Sequence, residues 1–221
     1  LVRRPHDASE TLGELALAPK ETKSDAPPAR ESFTVVEALR TSAFWLIAFG
    51  HAFALLAVSA VNVHAVTHIK EGLGYSLSLA TLVFTLVTVG QFLGVLTGWA
   101  IGDRFVKRKG AAVCMLMHAG GLLMLTYPAG PAVLAISAIV HGIAWGLRGP
   151  FMQAIRADYF GRSSIGMIIG LSSAVGVFGN IAGPILAGAF ADWTGDYRMG
   201  FTILAVLSGL SVADLAHAVA L

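Results

Sequence analysis

Arg148 stands inside an otherwise apolar stretch of the chain, with His141, Trp145 and Met152 at helical spacing around it. An arginine near the middle of a membrane-spanning helix costs about 2.5–3.5 kcal/mol, so we expect it to face a cavity or a partner. A guanidinium, an imidazole and an indole on one face suit an anionic organic solute, whose carboxylate Arg148 would hold while Trp145 packs against its apolar part. The alternative is that Arg148 reaches the cytoplasm along its apolar stem or fixes the helix bundle.

The histidines of the apolar segments offer a second kind of chemistry. His141 is the best placed of them to carry a coupled proton. His64 and His68 have the four-residue spacing of metal ligands, but no third ligand follows nearby, so we predict no metal site. The apolar segments contain no paired acids and no serine-containing elbow, so we predict neither a catalytic residue nor a cofactor.

A charged run after a glycine-spaced apolar segment is the third feature. Gly90, Gly94, Gly98 and Gly102 would form a smooth helical ridge on which a second helix can lie closely. Asp103 then follows within reach of Arg104 and of a neighbouring helix N-terminus, where an anion is favoured. Such a contact, formed only while the cytoplasmic side is closed, would bias one conformation. The alternative is an ordinary exposed charge at a helix end.

The composition identifies the elements that must position these side chains. Hydrophobic residues make up 56% of the chain and charged residues only 13%, and the mean hydropathy is +0.73. These values indicate an all-α integral membrane protein in a lipid bilayer. The net charge of +2 is too small to suggest a nucleic-acid partner.

The order of segments predicts a linker followed by a helical bundle. Residues 1–32 read as a flexible linker because they are polar and interrupted by prolines. Residues 33–42 read as a short juxtamembrane helix, in which Thr34 and Glu37 have the spacing of a capping box. Residues 43–221 then contain six apolar runs of membrane-spanning length. We place them at Ala43–Val66, Ser78–Ile101, Gly110–Tyr127, Pro131–Gln153, Ile165–Ala191 and Gly200–Leu221.

Lysine and arginine set the expected orientation. With six spans, the linker, the Asp103–Lys109 loop and the Arg156–Arg162 loop lie on one side of the membrane. That side holds twelve of the basic residues, whereas the opposite side holds only Lys70 and Arg198. By the positive-inside rule, the basic side is cytoplasmic and both termini lie there. We expect the protein in a plasma or inner membrane.

The charged loop also carries a family resemblance. The stretch Gly98–Arg108 resembles the cytoplasmic loop signature of the major facilitator superfamily: its acid, the arginine after it and the later basic pair match at Asp103, Arg104, Lys107 and Arg108. Two further stretches are similar to the same superfamily: Gly146–Arg162, and Gly183 through Phe201. The two signature glycines are replaced by Trp99 and Val106.

This resemblance implies the C-terminal six-helix half of a twelve-helix secondary transporter, with residues 1–32 joining the halves. The missing N-terminal half or a second copy would then be a partner, and a small-molecule solute would bind between the two halves. It also implies that the first, second, fourth and fifth spans line the cavity, which makes Asn62, Gln91 and Asn180 candidate solute contacts. The alternative for these amides is hydrogen bonding between helices. The conformational gate would comprise Asp103, Arg104, Lys107 and Arg108.

The fourth span is similar to the monocarboxylate and oxalate/formate branch, which implies a symporter or antiporter for a small organic anion. That branch carries a basic residue in the second span of this half, and Ser78–Ile101 has none, so a permease for a sugar, a drug or another metabolite stays open. A membrane sensor or scaffold with the same fold is the leading alternative to a transporter.

Overall fold

The computed structural model describes residues 32–101 and 106–217 of the chain, with side chains to residue 212, and every regular element in these residues is helical. Residues 1–31 of the linker, Asp103 and Arg104, and the side chains of Asp214 and His217 lie outside the described residues. The helices are α1 Val35–Leu39, α2 Ser42–Thr67, α3 Leu77–Ile101, α4 Lys107–Thr126, α5 Pro131–Phe160, α6 Ile165–Thr194 and α7 Arg198–His217. One π-helical turn, His68–Gly72, continues α2.

Five of these helices, α2 to α6, are long and apolar enough to cross a membrane. In α7 the described apolar stretch covers Arg198–Val212 and is shorter. The all-helical membrane fold predicted from composition is therefore confirmed, and the sixth span stays a prediction.

Helix α5 is longer than the sequence predicted. We placed its end at Gln153 because the charges at Arg156 and Asp158 suggested a loop, but the helix continues to Phe160 and ends at Gly161, whose φ is 75°. A helix satisfies its own backbone groups, so it does not have to end where the apolar residues do. Similarly, Lys107 and Arg108 form the first turn of α4 and not a loop.

Glycine ridges join α3 closely to α5. Gly90, Gly94 and Gly98 of α3 are buried, and a Cβ atom on Gly90 would come within 2.7 Å of the Ile139 carbonyl oxygen. Gly142 and Gly146 face them from α5, where a Cβ atom would overlap the α3 backbone. The predicted ridge is confirmed for these three glycines; Gly102 lies outside the described residues.

A second ridge joins α6 to α2. Gly179 packs on Ala52, and Gly183 packs on Leu56 and Ser59, with no room for a side chain at either glycine. Helix α4 packs against both α5 and α7. The faces of α3 and α6 away from these contacts are exposed. In the apolar stretch of each helix 22% of the residues are buried, compared with 67% for α2.

Helix α1 docks on the end of the bundle where α5 finishes, which we call the basic end because Arg40, Lys107–Lys109 and Arg162 lie there. The predicted capping box is present, since Thr34 Oγ1 accepts from the Glu37 N–H and the Glu37 carboxylate accepts from the Thr34 N–H at 2.8 Å. The bonds that the Glu37 carboxylate accepts from the Thr34 backbone N–H and from the Thr34 hydroxyl lower the pKa of Glu37. The Phe33 N–H donates to the Phe160 carbonyl at 3.0 Å, which ties α1 to α5.

Candidate functional site

A cavity of about 210 Å³ opens between α2, α4 and α5. Its polar lining comprises Arg148 and Trp145 of α5, His51 of α2 and His118 of α4, and its apolar lining includes Leu55 and Val58. Arg148 lies about 4 Å from the midpoint of α5, by the helical rise of about 1.5 Å per residue. The cavity therefore places a cation, two imidazoles and an indole in the middle of the bundle.

Arg148 is buried, with 4% of its surface exposed, and does not extend to the basic end. Its Nη1 donates to His51 Nδ1 at 2.6 Å, and its Nη2 donates to the Gly50 carbonyl at 2.8 Å. Its Nε has no hydrogen-bond partner. None of the ion pairs formed by the described residues involves Arg148. The guanidinium thus fixes α5 to α2 and also lines the cavity. Among the described residues, no acid lies close enough to neutralise its positive charge.

His118 and His141 form a buried pair between α4 and α5. Their Nδ1 atoms are 3.3 Å apart, and their rings meet edge to face with centroids separated by 4.6 Å. Because a hydrogen bond between two ring nitrogens needs one donor and one acceptor, the two neutral rings must hold different tautomers. The Nε2 atoms of both rings are buried without partners.

The residues predicted on the Arg148 face separate in the structure. Trp145 lines the cavity beside Arg148, whereas His141 lies one layer away, behind His118. Met152 is buried in an apolar cluster with Phe44 and Met115. The stripe is therefore not a continuous lining of one cavity.

The three candidate amides lie away from the Arg148 cavity. Asn62 on α2 and Asn180 on α6 are exposed, and Gln91 on α3 is half-buried. Asn62 follows His51 by eleven residues and so lies on the same face of α2, about 16 Å further along the helix. None of the three lines the cavity.

At the basic end, Lys107 of α4 and Asp158 of α5 form an ion pair with Nζ and Oδ2 separated by 2.8 Å. Arg108, the other described member of the predicted gate, is exposed. Arg156 is buried and its Nε donates to Ser172 Oγ of α6 at 3.1 Å. The sequence predicts a cytoplasmic loop at Arg156–Arg162, which is wrong for Arg156 because α5 continues through it and carries its side chain into the α5–α6 contact.

His51 and His118 are the functional candidates that the sequence analysis did not select. Both were visible as isolated polar residues in apolar spans, which is the signal that could have found them. Their convergence on Arg148 depends on the rotation of α2 and α4 about their axes, and the apolar pattern does not fix that rotation because both helices are apolar on most sides.

Comparison with known proteins supports the resemblance noted in the charged loop. The profile of the Major Facilitator Superfamily matches residues 47–220. A gentisate transporter of Corynebacterium glutamicum is 32% identical over 153 residues, which cover 66% of this chain and 34% of that protein. Monocarboxylate transporter 13 of Bos taurus is 24% identical over 144 residues, which cover 64% of this chain and 33% of that protein.

The chain thus spans about a third of the length of these relatives. The family match, in contrast, extends over more than three quarters of the chain itself, and it includes the helices that build the Arg148 cavity. The chain therefore belongs to the Major Facilitator Superfamily.

Proposed function

We propose that this chain is one six-helix half of a membrane transporter for small organic anions, and that Arg148 binds the carboxylate of the solute. The observation that carries this proposal is a buried arginine, near the middle of a spanning helix, that lines a cavity and has no described acid as its partner. Burying an arginine in a spanning helix is costly, and an anion-binding site would explain why the chain has one there.

The cavity has the chemistry of a monocarboxylate site. Arg148 can present a fork of N–H donors to a carboxylate, and the indole of Trp145 offers a flat apolar surface for the rest of the solute. Gentisate and monocarboxylates, after which the relatives are named, share one carboxylate. We assign the solute of this chain to the same class, with an aromatic or short aliphatic body.

The other half of the solute path would come from a second six-helix unit, which is either an N-terminal six-helix half or a second copy of the chain. The open faces of α3 and α6 support this part of the proposal because they leave large apolar side chains, including Phe92 and Phe178, exposed. Asn62, Gln91 and Asn180 lie on three of the four spans assigned to the cavity and would meet the solute only at that larger site.

Binding to the purified chain in lipid nanodiscs tests the proposal. Titration calorimetry with gentisate and with propionate should show saturable binding, which Arg148→Gln weakens at least tenfold. A loss of this size corresponds to about 1.4 kcal/mol, within the range of a charged hydrogen bond. Arg148→Lys should recover part of the affinity because it keeps the charge but not the fork.

Arg162→Gln is the matched control, since Arg162 is exposed at the basic end and should leave binding unchanged. Thermal melting of each variant separates a lost contact from a lost fold. Equal affinity in wild-type and Arg148→Gln protein would contradict the proposed site. Binding without accumulation in vesicles, even with a second six-helix unit present, would favour the sensor or scaffold alternative.

A further inference from the structure

We infer that the His118–His141 pair is a proton-binding site that takes up one proton when a carboxylate binds at Arg148. This inference rests on the proposed anion site and adds a second ligand, the proton, with its own binding residues. Three features of the described residues carry it: the hydrogen bond between the two rings, their unpartnered Nε2 atoms, and the cavity that His118 lines together with Arg148.

The geometry of the pair suits one additional proton. In the neutral pair one ring donates through Nδ1–H and the other accepts at Nδ1, at 3.3 Å. The donating ring keeps a lone pair on its Nε2, and that atom is buried without a partner. A proton added there makes the donating ring an imidazolium while the Nδ1–H···Nδ1 bond persists and becomes charge-assisted, which strengthens it. A second proton would occupy the accepting Nδ1, break the shared hydrogen bond and leave two adjacent cations.

The charges around the pair explain why the proton should arrive together with the anion. Arg148 of α5 lines the same cavity as His118. The other ionisable groups whose charges act on this part of the bundle are His51 of α2, Cys114 of α4 and Arg156 of α5. Helix α3 contains no ionisable residue, and in α7 the described ionisable group is Arg198, at its first residue. With an empty cavity, the positive charge of Arg148 opposes a second cation nearby.

A bound carboxylate changes this balance. It offsets the charge of Arg148, so that an imidazolium at His118 or His141 no longer faces an uncompensated cation in a medium of low dielectric constant. The carboxylate adds one negative charge and the proton from solvent adds one positive charge, so the loaded cavity has the same net charge as the empty one. The proton leaves hydronium or a buffer acid in the solvent, and the new N–H is the one covalent bond formed in the protein.

Titration calorimetry at one pH in buffers of different ionisation enthalpy measures the protons taken up per bound anion. With gentisate as the probe, wild-type protein near neutral pH should take up close to one proton. His118→Asn and His141→Asn should reduce this number to near zero while binding persists, because asparagine keeps a polar group at the position of Nδ1. The affinity for gentisate should then lose its dependence on pH.

His64→Asn is the matched control: His64 lies at the opposite end of α2, contacts the Pro184 carbonyl and does not line the cavity, so this variant should leave proton uptake unchanged. His51→Asn tests the competing assignment of the proton to the other imidazole of the cavity, because His51 lines the cavity and accepts from Arg148. Uptake that disappears only in His51→Asn would overturn the inference, and so would wild-type binding without proton uptake. If gentisate and propionate do not bind at all, the proposed anion site itself fails.

Discussion

At the scale of single residues, the position of Arg148 is compatible with both roles predicted for it, binding a solute and fixing the helix bundle. Its Nη atoms bond to Gly50 and His51, which fixes α5 to α2, and the same side chain lines the cavity. Breaking a buried charged contact is costly, so Arg148→Gln should lower stability as well as affinity. For this reason the lysine variant is the more informative of the two.

The Lys107–Asp158 ion pair provides a test of the gate at this scale. Its two side chains are 27% and 50% exposed, so the pair is worth at most about 1 kcal/mol. We propose that it helps to hold the basic end closed, and we expect Lys107→Gln to speed hydrogen exchange in the first turn of α4 and the last turn of α5 by up to about fivefold.

Lys109→Gln is the matched control, because Lys109 is exposed two residues away. The exchanged pair Lys107→Glu with Asp158→Lys should restore slow exchange if the contact itself matters. Equal exchange rates in wild-type, Lys107→Gln and Lys109→Gln protein would show that the pair is only a surface contact.

The sequence identifies functional residue types more readily than it identifies which residues contact one another. Arg148 was identifiable because a charge inside an apolar run is rare and expensive. Its partners were not, since Gly50 contributes a carbonyl that every residue possesses, and His51 lies 97 positions away in the chain.

At the scale of helices, glycine decides which pairs approach most closely. The four-residue glycine spacing in α3 predicted a ridge, and the structure confirms it, but the spacing could not name the partner helix. The reason is that α6 carries a similar set of small residues and would have served equally well on pattern alone. The complementary glycines of α5, Gly142 and Gly146, settle the choice.

Two glycines of α5 allow a matched test of this packing. Gly146→Ala would place a methyl group against the α3 backbone at Gln91, whereas Gly149→Ala meets no atom within 4 Å. We expect Gly146→Ala to destabilise the protein by about 1–3 kcal/mol, as overpacking does, and Gly149→Ala to be neutral or slightly stabilising. Thermal unfolding in detergent, followed by the signal of the tryptophans, gives the comparison. Equal melting temperatures for the two variants would argue against the close α3–α5 contact.

At the scale of the whole molecule, the helices form two tight pairs. Glycine contacts join α3 to α5 on one side and α6 to α2 on the other. Helix α4 packs on α5, and α7 packs on α4, α2 and α6. The open faces belong to one helix of each pair, which is the arrangement expected of a bundle that shares a solute path with another six-helix unit.

The proposed orientation can be tested on the same scale. Lys109 at the basic end and Lys70 at the other end are both exposed, and the single native cysteine, Cys114, is buried. In a Cys114→Ser background, Lys109→Cys should react with a membrane-impermeant maleimide only from the cytoplasm, and Lys70→Cys only from the opposite side. The reverse labelling pattern would show that the bundle is inserted the other way.

The connection between α5 and α2 has a consequence for how a solute could set the two helix pairs in motion. Arg148 crosses the seam between them, and its grip on α2 depends on one carbonyl and one ring nitrogen. A carboxylate that binds Nε and a free N–H of Nη2 would leave both internal bonds in place, whereas one that binds the N–H groups facing Gly50 and His51 would have to displace them. We propose that a solute held in the second way would release α5 from α2 as it binds, so that the two helix pairs could separate only in the loaded protein.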